Sequence, residues 1–358
     1  MENTKFTEEI QGQPAALKRL TDYYGSTDGR ALLDTVTDIC TKAKRILFTG
    51  MGTSMHAPYC ILKELGALPQ CVEIRDAGEL LHFGMDSIRS GDAVIAISQS
   101  GESAETKRVA GELQGKVPVI SIVNDESSFM GNHADVTLPM LAGSESSISN
   151  KTYSNTLSIL MMISTLLKNN SLDTCLNELR ETAERMLDGL GKSAEDARSA
   201  AEFLNKPVKT ENALYGKTLH TIARGSDLVT AYQLGLILKE GAGVFAEGMS
   251  AGLFRHGPLE LAGEGHSAAF FLSKDNKPDV TMNLVKDTHS NGTRVLIVSD
   301  APYFEGGDIL NVVIETPYPR YFAILCAPFI ELFVHEMALK SGLVAGVFRN
   351  VSKITSIE

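Results

Sequence analysis

Four segments gather side chains that can do chemistry. Ser98-Gln99-Ser100-Gly101-Glu102-Ser103-Ala104-Glu105-Thr106 sets four hydroxyls around one glycine, between an apolar run and a helical pattern. Backbone N–H groups at a helix start, the helix dipole and uncharged hydroxyl donors together make an anion cradle suited to a phosphate monoester. Ser and Thr are also ordinary N-caps, yet three alternating serines exceed what one cap needs. Gly50-Met51-Gly52-Thr53-Ser54 is a second strand-to-helix turn. It lacks the third glycine of a dinucleotide fingerprint (Ala57 could substitute, with Glu73 or Asp76 as the ribose acid). A sugar-hydroxyl or phosphate contact from Thr53 and Ser54 is the more economical reading.

The third segment pairs Glu240 with His256-Gly257-Pro258. Glu240 ends an apolar helix pattern (Leu234, Leu236, Ile237, Leu238) just before Gly241-Ala242-Gly243. A carboxylate there is a candidate general base, and an imidazole titrating near neutrality is a candidate acid/base. The ordinary readings are a solvated helix terminus and a turn residue. The fourth is the tail, Arg349-Asn350-Val351-Ser352-Lys353. Its lysine is a surface charge unless the tail folds over a cleft, where an amine can form a Schiff base with a carbonyl sugar.

Strand signals position these segments. Arg45–Thr49, Val94–Ile97, Val117–Val123 and Val136–Met140 are β-rich apolar runs, and most end at glycine or polar turns. Continuous rather than alternating runs are expected of strands covered on both faces. The stretches between them suit crossover helices, which gives an α/β class with parallel sheets flanked by helices on both faces. Lys151–Lys168 and Leu172–Leu204 read as helices. Strand signals then resume at Leu219–Ala223, Ala268–Leu272, Arg294–Val298 and Val312–Glu315. A long apolar helix follows over about 321–341, ended by Gly342.

The second half echoes the first. Gly52-Thr53-Ser54 returns as Gly225-Ser226-Asp227, Ile61-Leu62-Lys63-Glu64 as Ile237-Leu238-Lys239-Glu240, and Ala77-Gly78 as Ala251-Gly252, at offsets of 173, 176 and 174 residues. Three echoes in one order predict a duplicated domain. The expected organisation is an N-terminal helical segment (1–30), a first domain (31–170), a helical connector (171–205), a second domain (206–345) and a tail over the active site (346–358).

Composition narrows the function. The 358 residues include 33 Lys+Arg against 44 Asp+Glu, a formal charge of −11 with no basic run, which argues against nucleic acid or an anionic membrane as partner. No stretch approaches 18 uninterrupted apolar residues, and the N-terminus lacks the pattern of a secretory signal. The 5 cysteines are odd in number and scattered without a CxxC pair. That predicts no disulfide framework and no structural zinc, and fits a reducing cytoplasm. HExxH, Walker A and GxSxG are absent. No metal and no cofactor are expected.

Taken together, these motifs resemble the double SIS (sugar isomerase) domain family, specifically the isomerase half of glucosamine-6-phosphate synthases. Glu9-Ile10-Gln11-Gly12-Gln13-Pro14 is similar to the opening of that half. The turns at Gly52-Thr53-Ser54 and Ser98–Ser103 are similar to its two sugar-phosphate loops. Leu238-Lys239-Glu240, Ala251–Leu259 and Arg349–Lys353 are similar to its catalytic helix, histidine loop and tail. The resemblance implies that Gly52, Thr53, Ser54, Ser98, Gln99, Ser100 and Ser103 bind a sugar 6-phosphate. It implies that Glu240 moves a proton between sugar C1 and C2, and that His256, delivered from the neighbouring subunit of a homodimer or larger homo-oligomer, opens the ring. Lys353 would be the Schiff-base lysine.

Two departures redirect the expected activity. The synthases carry a glutamate and a lysine one and two turns before the catalytic glutamate, where this chain has Gln233 and Ile237, and no glutaminase segment is expected ahead of the first domain. Glu240 with His256 but without that lysine also resembles the sugar-amine 6-phosphate deglycases, which release a free amine from fructosamine- or glucosylamine-type conjugates. The expectation is such a phosphosugar enzyme. The alternatives are a synthase-like isomerase, an aldose–ketose isomerase or amino-sugar-phosphate deaminase, and a non-catalytic phosphosugar sensor.

Overall fold

The computed structural model describes residues 3–206, 218–304, 309–350 and 352–355. Met1 and Glu2, the first residues of the expected second domain (207–217), and Val351 and 356–358 of the tail lie outside the described residues. Packing divides the chain into two compact units. One is Gly12–Ala183 with Phe348–Glu358, and the other is Met1–Gln11 with Glu184–Val347.

In the first of these, β1 (Arg45–Gly50), β2 (Cys71–Asp76), β3 (Asp92–Ser98), β4 (Val119–Val123) and β5 (Val136–Pro139) form a parallel sheet in the order β2-β1-β3-β4-β5. β3 and β4 are buried along their whole length, as continuous apolar runs require. The edge strand β2 is only half-buried and carries Glu73 and Arg75. It escapes an apolar-run criterion for that reason and is not among the strands expected from sequence.

The helix Lys151–Leu167 is buried almost throughout despite its Ser and Thr content. Several of its hydroxyls are satisfied within the helix. Thr156 Oγ1 donates to the Thr152 carbonyl at 2.7 Å, Ser158 Oγ to Ser154 at 2.8 Å and Thr165 Oγ1 to Met161 at 2.7 Å. Asn155 Nδ2 donates to the Met140 carbonyl at 2.7 Å and ties the helix to the end of β5.

The second unit holds β6 (Thr218–Ala223), β7 (Phe245–Ser250), β8 (Ser267–Leu272), β9 (Arg294–Ser299) and β10 (Leu310–Val313), all parallel. Read from the β7 edge, the order is β7-β6-β8-β9-β10, the order of the first sheet. The duplication expected from the sequence echoes is thus a duplication of topology. Here too the edge strand absent from the sequence reading, β7, is partly exposed and carries a charged residue, Glu247.

The helix Phe322–Lys340 forms much of this unit's core, with Phe322, Phe329 and Phe333 fully buried. Pro328 sits inside it. An interior proline costs ~3 kcal/mol, and burial of one large apolar side chain returns about 1.5–3 kcal/mol, so the packed face offsets the break. Pro319–Lys340 is long and apolar enough to cross a membrane, but 89% of its most apolar window is buried inside the fold.

Candidate functional site

β1 and β3 are sheet neighbours, so the two turns leaving their carboxyl ends lie side by side. Gly52 adopts φ 53°, ψ −124° at the start of the short helix Thr53–His56. A side chain on Gly50 would stand 2.8 Å from the Ile97 carbonyl oxygen. The first turn therefore lies directly against the end of β3.

The serine loop itself is tightly wired. Ser98 ends β3 at 2% exposure, and its Oγ lies 3.1 Å from Ser103 Oγ and accepts the Gly101 N–H at 3.2 Å. Ser100 Oγ accepts the Glu102 N–H at 3.1 Å. Gly101 turns the loop at φ +67°, where any side chain would strike Ser128 Oγ at 1.9 Å. The Gln99 carbonyl accepts from the Asn124 N–H at 3.0 Å, and the Gly101 carbonyl from the Met130 N–H at 3.2 Å. Glu102 accepts the Phe129 N–H at 2.6 Å and pairs with Lys107. The Phe129 bond, with help from Lys107, holds its carboxyl below the usual range. That charge is thereby tied to the protein. The structure brings Ser98, Ser100 and Ser103 together at the start of the helix Ala104–Leu113, with Gln99 half-buried beside them.

The tail belongs to the same unit. The Ala104 N–H, one residue beyond Ser103, donates to the Thr355 carbonyl at 3.0 Å. Lys353 Nζ lies 3.1 Å from Glu145 Oε1 and donates to the Ser147 carbonyl at 2.6 Å. Glu145 was not anticipated from sequence. It is buried, and it accepts the Thr152 N–H at 3.0 Å, the Thr152 hydroxyl at 2.8 Å and the Asn150 N–H at 3.2 Å. A lone acid in the small, polar stretch Gly143–Ser147, just before a long helix, is the available signal. In this arrangement the Lys353 amine is engaged by a carboxylate and a carbonyl of its own unit.

Glu240 and His256 lie in the second unit. The helix Leu228–Ala242 runs two residues past Glu240 and ends at Gly243 in the left-handed conformation. Glu240 is therefore half-buried in the last turn rather than terminal. Gln233 and Ile237, on the same helix, are both 0% exposed, which places Ile237 within the core. His256 caps the short helix Ala251–Arg255 and is exposed, next to Gly257 at φ 138° and near Leu253, which is 63% exposed. Among the described residues, no group of three His, Cys, Asp or Glu side chains is placed to hold a metal ion.

Comparison with known proteins adds to this geometry. The SIS domain family matches residues 39–168. The glutamine–fructose-6-phosphate aminotransferase (isomerizing) of Streptococcus pneumoniae is 26% identical over 366 residues, covering 98% of this chain and 58% of that protein. The chain thus spans little more than half the length of that relative. Among solved structures, the C-terminal domain of glucosamine-fructose-6-phosphate aminotransferase from Francisella tularensis superposes with a TM-score of 0.82 at 20% identity, covering 96% of this chain and 98% of that one. The glucosamine-6-phosphate deaminase of Thermotoga maritima superposes with a TM-score of 0.70 at 18% identity, covering 98% and 99%. At those identities the structures attest the fold.

Proposed function

From a chain whose residues 39–168 are a SIS domain and whose second sheet repeats the first sheet's strand order, we propose a phosphosugar enzyme acting on an amino or amine-conjugated hexose 6-phosphate. The observation that carries this reading is the Ser98–Ser103 loop. Two serine hydroxyls 3.1 Å apart stand at the start of a helix, in a turn locked by Gly101 against Ser128. Such a loop offers neutral donors to an anion. We read 31–170 and 206–345 as the two SIS domains, with Gly52, Thr53, Ser54, Ser98, Gln99, Ser100 and Ser103 as the sugar-phosphate contacts.

In the deglycase-like reaction, Glu240 takes a proton from C1 of a fructosamine 6-phosphate and returns it to C2 while the amine N–H proton passes to the C2 oxygen, which converts the ketoamine to an imine at C1. Water adds to the imine carbon, and the carbon–nitrogen bond breaks to give a sugar 6-phosphate and a free amine. His256, supplied across a homodimer, opens cyclic substrate by protonating the ring oxygen. Incubation with a panel of 6-phosphorylated Amadori compounds and amino sugars, with release of free amine as the readout, tests the reading. No release from any member, with phosphate-ester binding intact, would refute it and favour a phosphosugar sensor.

A second reading, synthase-like amination or simple isomerisation, draws on the docked tail with Lys353. Against amination stands Ile237, buried in the core where the resemblance places a lysine. Efficient formation of glucosamine 6-phosphate from fructose 6-phosphate and ammonia would decide for that second reading.

A further inference from the structure

The second sheet has its own strand-end turns, in the topological positions that the two phosphate-type turns occupy on the first. β6 turns through Gly225 at φ 57°, as β1 turns through Gly52 at φ 53°. The sequence echo sets Gly52-Thr53-Ser54 against Gly225-Ser226-Asp227, so Asp227 stands where the first copy has Ser54. β8 neighbours β6 as β3 neighbours β1, and the residue that follows β8 is Ser273.

The donors of this second loop are already taken. The Ser273 N–H donates to Asp227 Oδ2 at 2.8 Å, and the Ser273 hydroxyl to Asp227 Oδ1 at 2.9 Å. Asn276 Nδ2 donates to Ser273 Oγ at 2.8 Å and to Ser226 Oγ at 2.9 Å, and Asn276 Oδ1 accepts the Ser226 N–H at 3.1 Å. Asp227 is 2% exposed and Ser273 0%. Among the described residues no Lys, Arg or His pairs with Asp227, so neutral donors hold this carboxylate. A backbone N–H and a serine hydroxyl converging on two oxygens of one anion, at the end of a parallel strand, is the set of bonds such a loop offers to phosphate.

We propose that the second unit's strand-end loop is a phosphate cradle filled by the protein's own carboxylate. The Asp227 carboxyl group occupies its donors, and phosphate esters bind only at Ser98–Ser103. Asp300 reinforces the exclusion. It accepts the Lys274 N–H at 2.9 Å and the Tyr303 hydroxyl at 2.7 Å, and so sets a second carboxyl group beside the loop. An incoming phosphate would find the loop's donors already engaged by Asp227 and a second acid beside them. The proposal rests on the reading of Ser98–Ser103 as a phosphate site, and the experiment separates the two.

Calorimetric titration of the full chain with inorganic phosphate provides the test. Wild type should take one phosphate per chain, Ser98→Ala/Ser100→Ala none, Asp227→Gly two, and the triple variant one. Asp227→Ser is the second variant at that position. For both, the phosphate-dependent rise in Tm is read as well, because ligand linkage registers even in a weakened fold. A second phosphate on wild type overturns the proposal. So does the absence of an added phosphate in both Asp227 variants, or their failure to fold at any phosphate concentration. Uptake of formate but not phosphate by Asp227→Gly overturns it too, since the hole would then fit only a carboxylate. If Ser98→Ala/Ser100→Ala keeps its phosphate while Asp227→Gly still gains one, the Ser98–Ser103 reading falls and the Asp227 assignment stands.

Discussion

Lys353 Nζ sits 3.1 Å from Glu145 Oε1, with its side chain 18% exposed and that of Glu145 0%. The pair joins residues 208 apart in sequence. The two partners are not equivalent. Without Lys353, Glu145 still accepts from Thr152 N, Thr152 Oγ1 and Asn150 N. Without Glu145, those donors lose their acceptor inside the fold.

The first prediction follows from that asymmetry. An orphaned buried donor costs about 1–3 kcal/mol, so Glu145→Ala should destabilise the chain by several kcal/mol. Lys353→Ala should cost no more than about 1–2 kcal/mol and should free the tail, seen as faster proteolysis near the C-terminus. Urea unfolding of both variants checks the order. Equal losses would show that Glu145 owes its place to Lys353 alone.

The second prediction concerns the serine loop. A sugar phosphate should raise Tm, and Ser98→Ala with Ser100→Ala should weaken that rise, each donor to a charged group being worth about 1.5–3 kcal/mol. Gly101→Ala should abolish the rise and lower Tm in the absence of ligand. It forces a methyl group to 1.9 Å from Ser128 Oγ at φ +67°. Thermal melts with and without glucose 6-phosphate measure both. An unchanged ligand shift in the double variant would remove the phosphate assignment.

The central strands were legible because burial on both faces writes a continuous apolar run, as in Val94–Ile97 and Arg294–Val298. The edge strands Cys71–Asp76 and Phe245–Ser250 were not, since a half-exposed strand keeps charged residues such as Glu73 and Glu247. The serine loop was readable because its donors are adjacent in the chain. Glu145 and Asp227 were not, because each gains its meaning from a partner far away in sequence, Lys353 in one case and Ser273 in the other. A single sequence shows residue types and spacings, but not which distant donor will face a buried acid. The burial of Ile237 belongs with these, because its position on the helix was readable but its place in the core was not.

The third prediction sets two buried groups against each other. Burial pushes Asp227 up to about 7 from 3.8, with Ser273 and Asn276 opposing and Asp300 adding to the rise. A raised carboxyl contributes stability that is full below its unfolded value and fades as pH climbs toward 7. His266, 1% exposed, is pushed down to about 4 by burial and by its neighbour His220. Its contribution is full above the unfolded value of 6.5 and is lost as pH falls toward 4. His220 Nδ1 lies 2.8 Å from His266 Nε2, and Thr293 Oγ1 3.0 Å from His266 Nδ1. The effects are on the order of 4 and 3 kcal/mol, so they oppose one another across the same window. Asp227→Asn should leave a chain that loses Tm more steeply than wild type from pH 7 to 4. His266→Gln should lose less than wild type over that range. Melts across pH check the signs, and parallel profiles for all three proteins would remove both assignments.

The last prediction concerns Glu240 and His256. Moving a proton between C1 and C2 needs a base within hydrogen-bond reach of carbon-bound hydrogens that are only weakly acidic. Glu240 is half-buried in the final turn of Leu228–Ala242, where the helix dipole opposes negative charge. Glu240→Gln keeps the shape and removes the base. It should lower kcat by about 10²-fold or more with little change in phosphate-ester binding, because general-base catalysis contributes roughly 10²–10⁴-fold. His256→Ala should cost a similar factor on cyclic substrate and less on open-chain substrate, since ring opening is its proposed step. His256 is exposed beside Leu253, itself 63% exposed, as a residue lent to a partner subunit would be. If it serves the partner's site, mixing the two inactive variants should restore activity. Random exchange makes about half the dimers hybrid, each with one intact site of two, so recovery should approach about a quarter of wild type. No recovery, with subunit exchange confirmed by a tagged chain, would mean that both residues act within one subunit. Near-normal turnover in both single variants would remove the catalytic roles of Glu240 and His256 and place the proton transfers on other side chains.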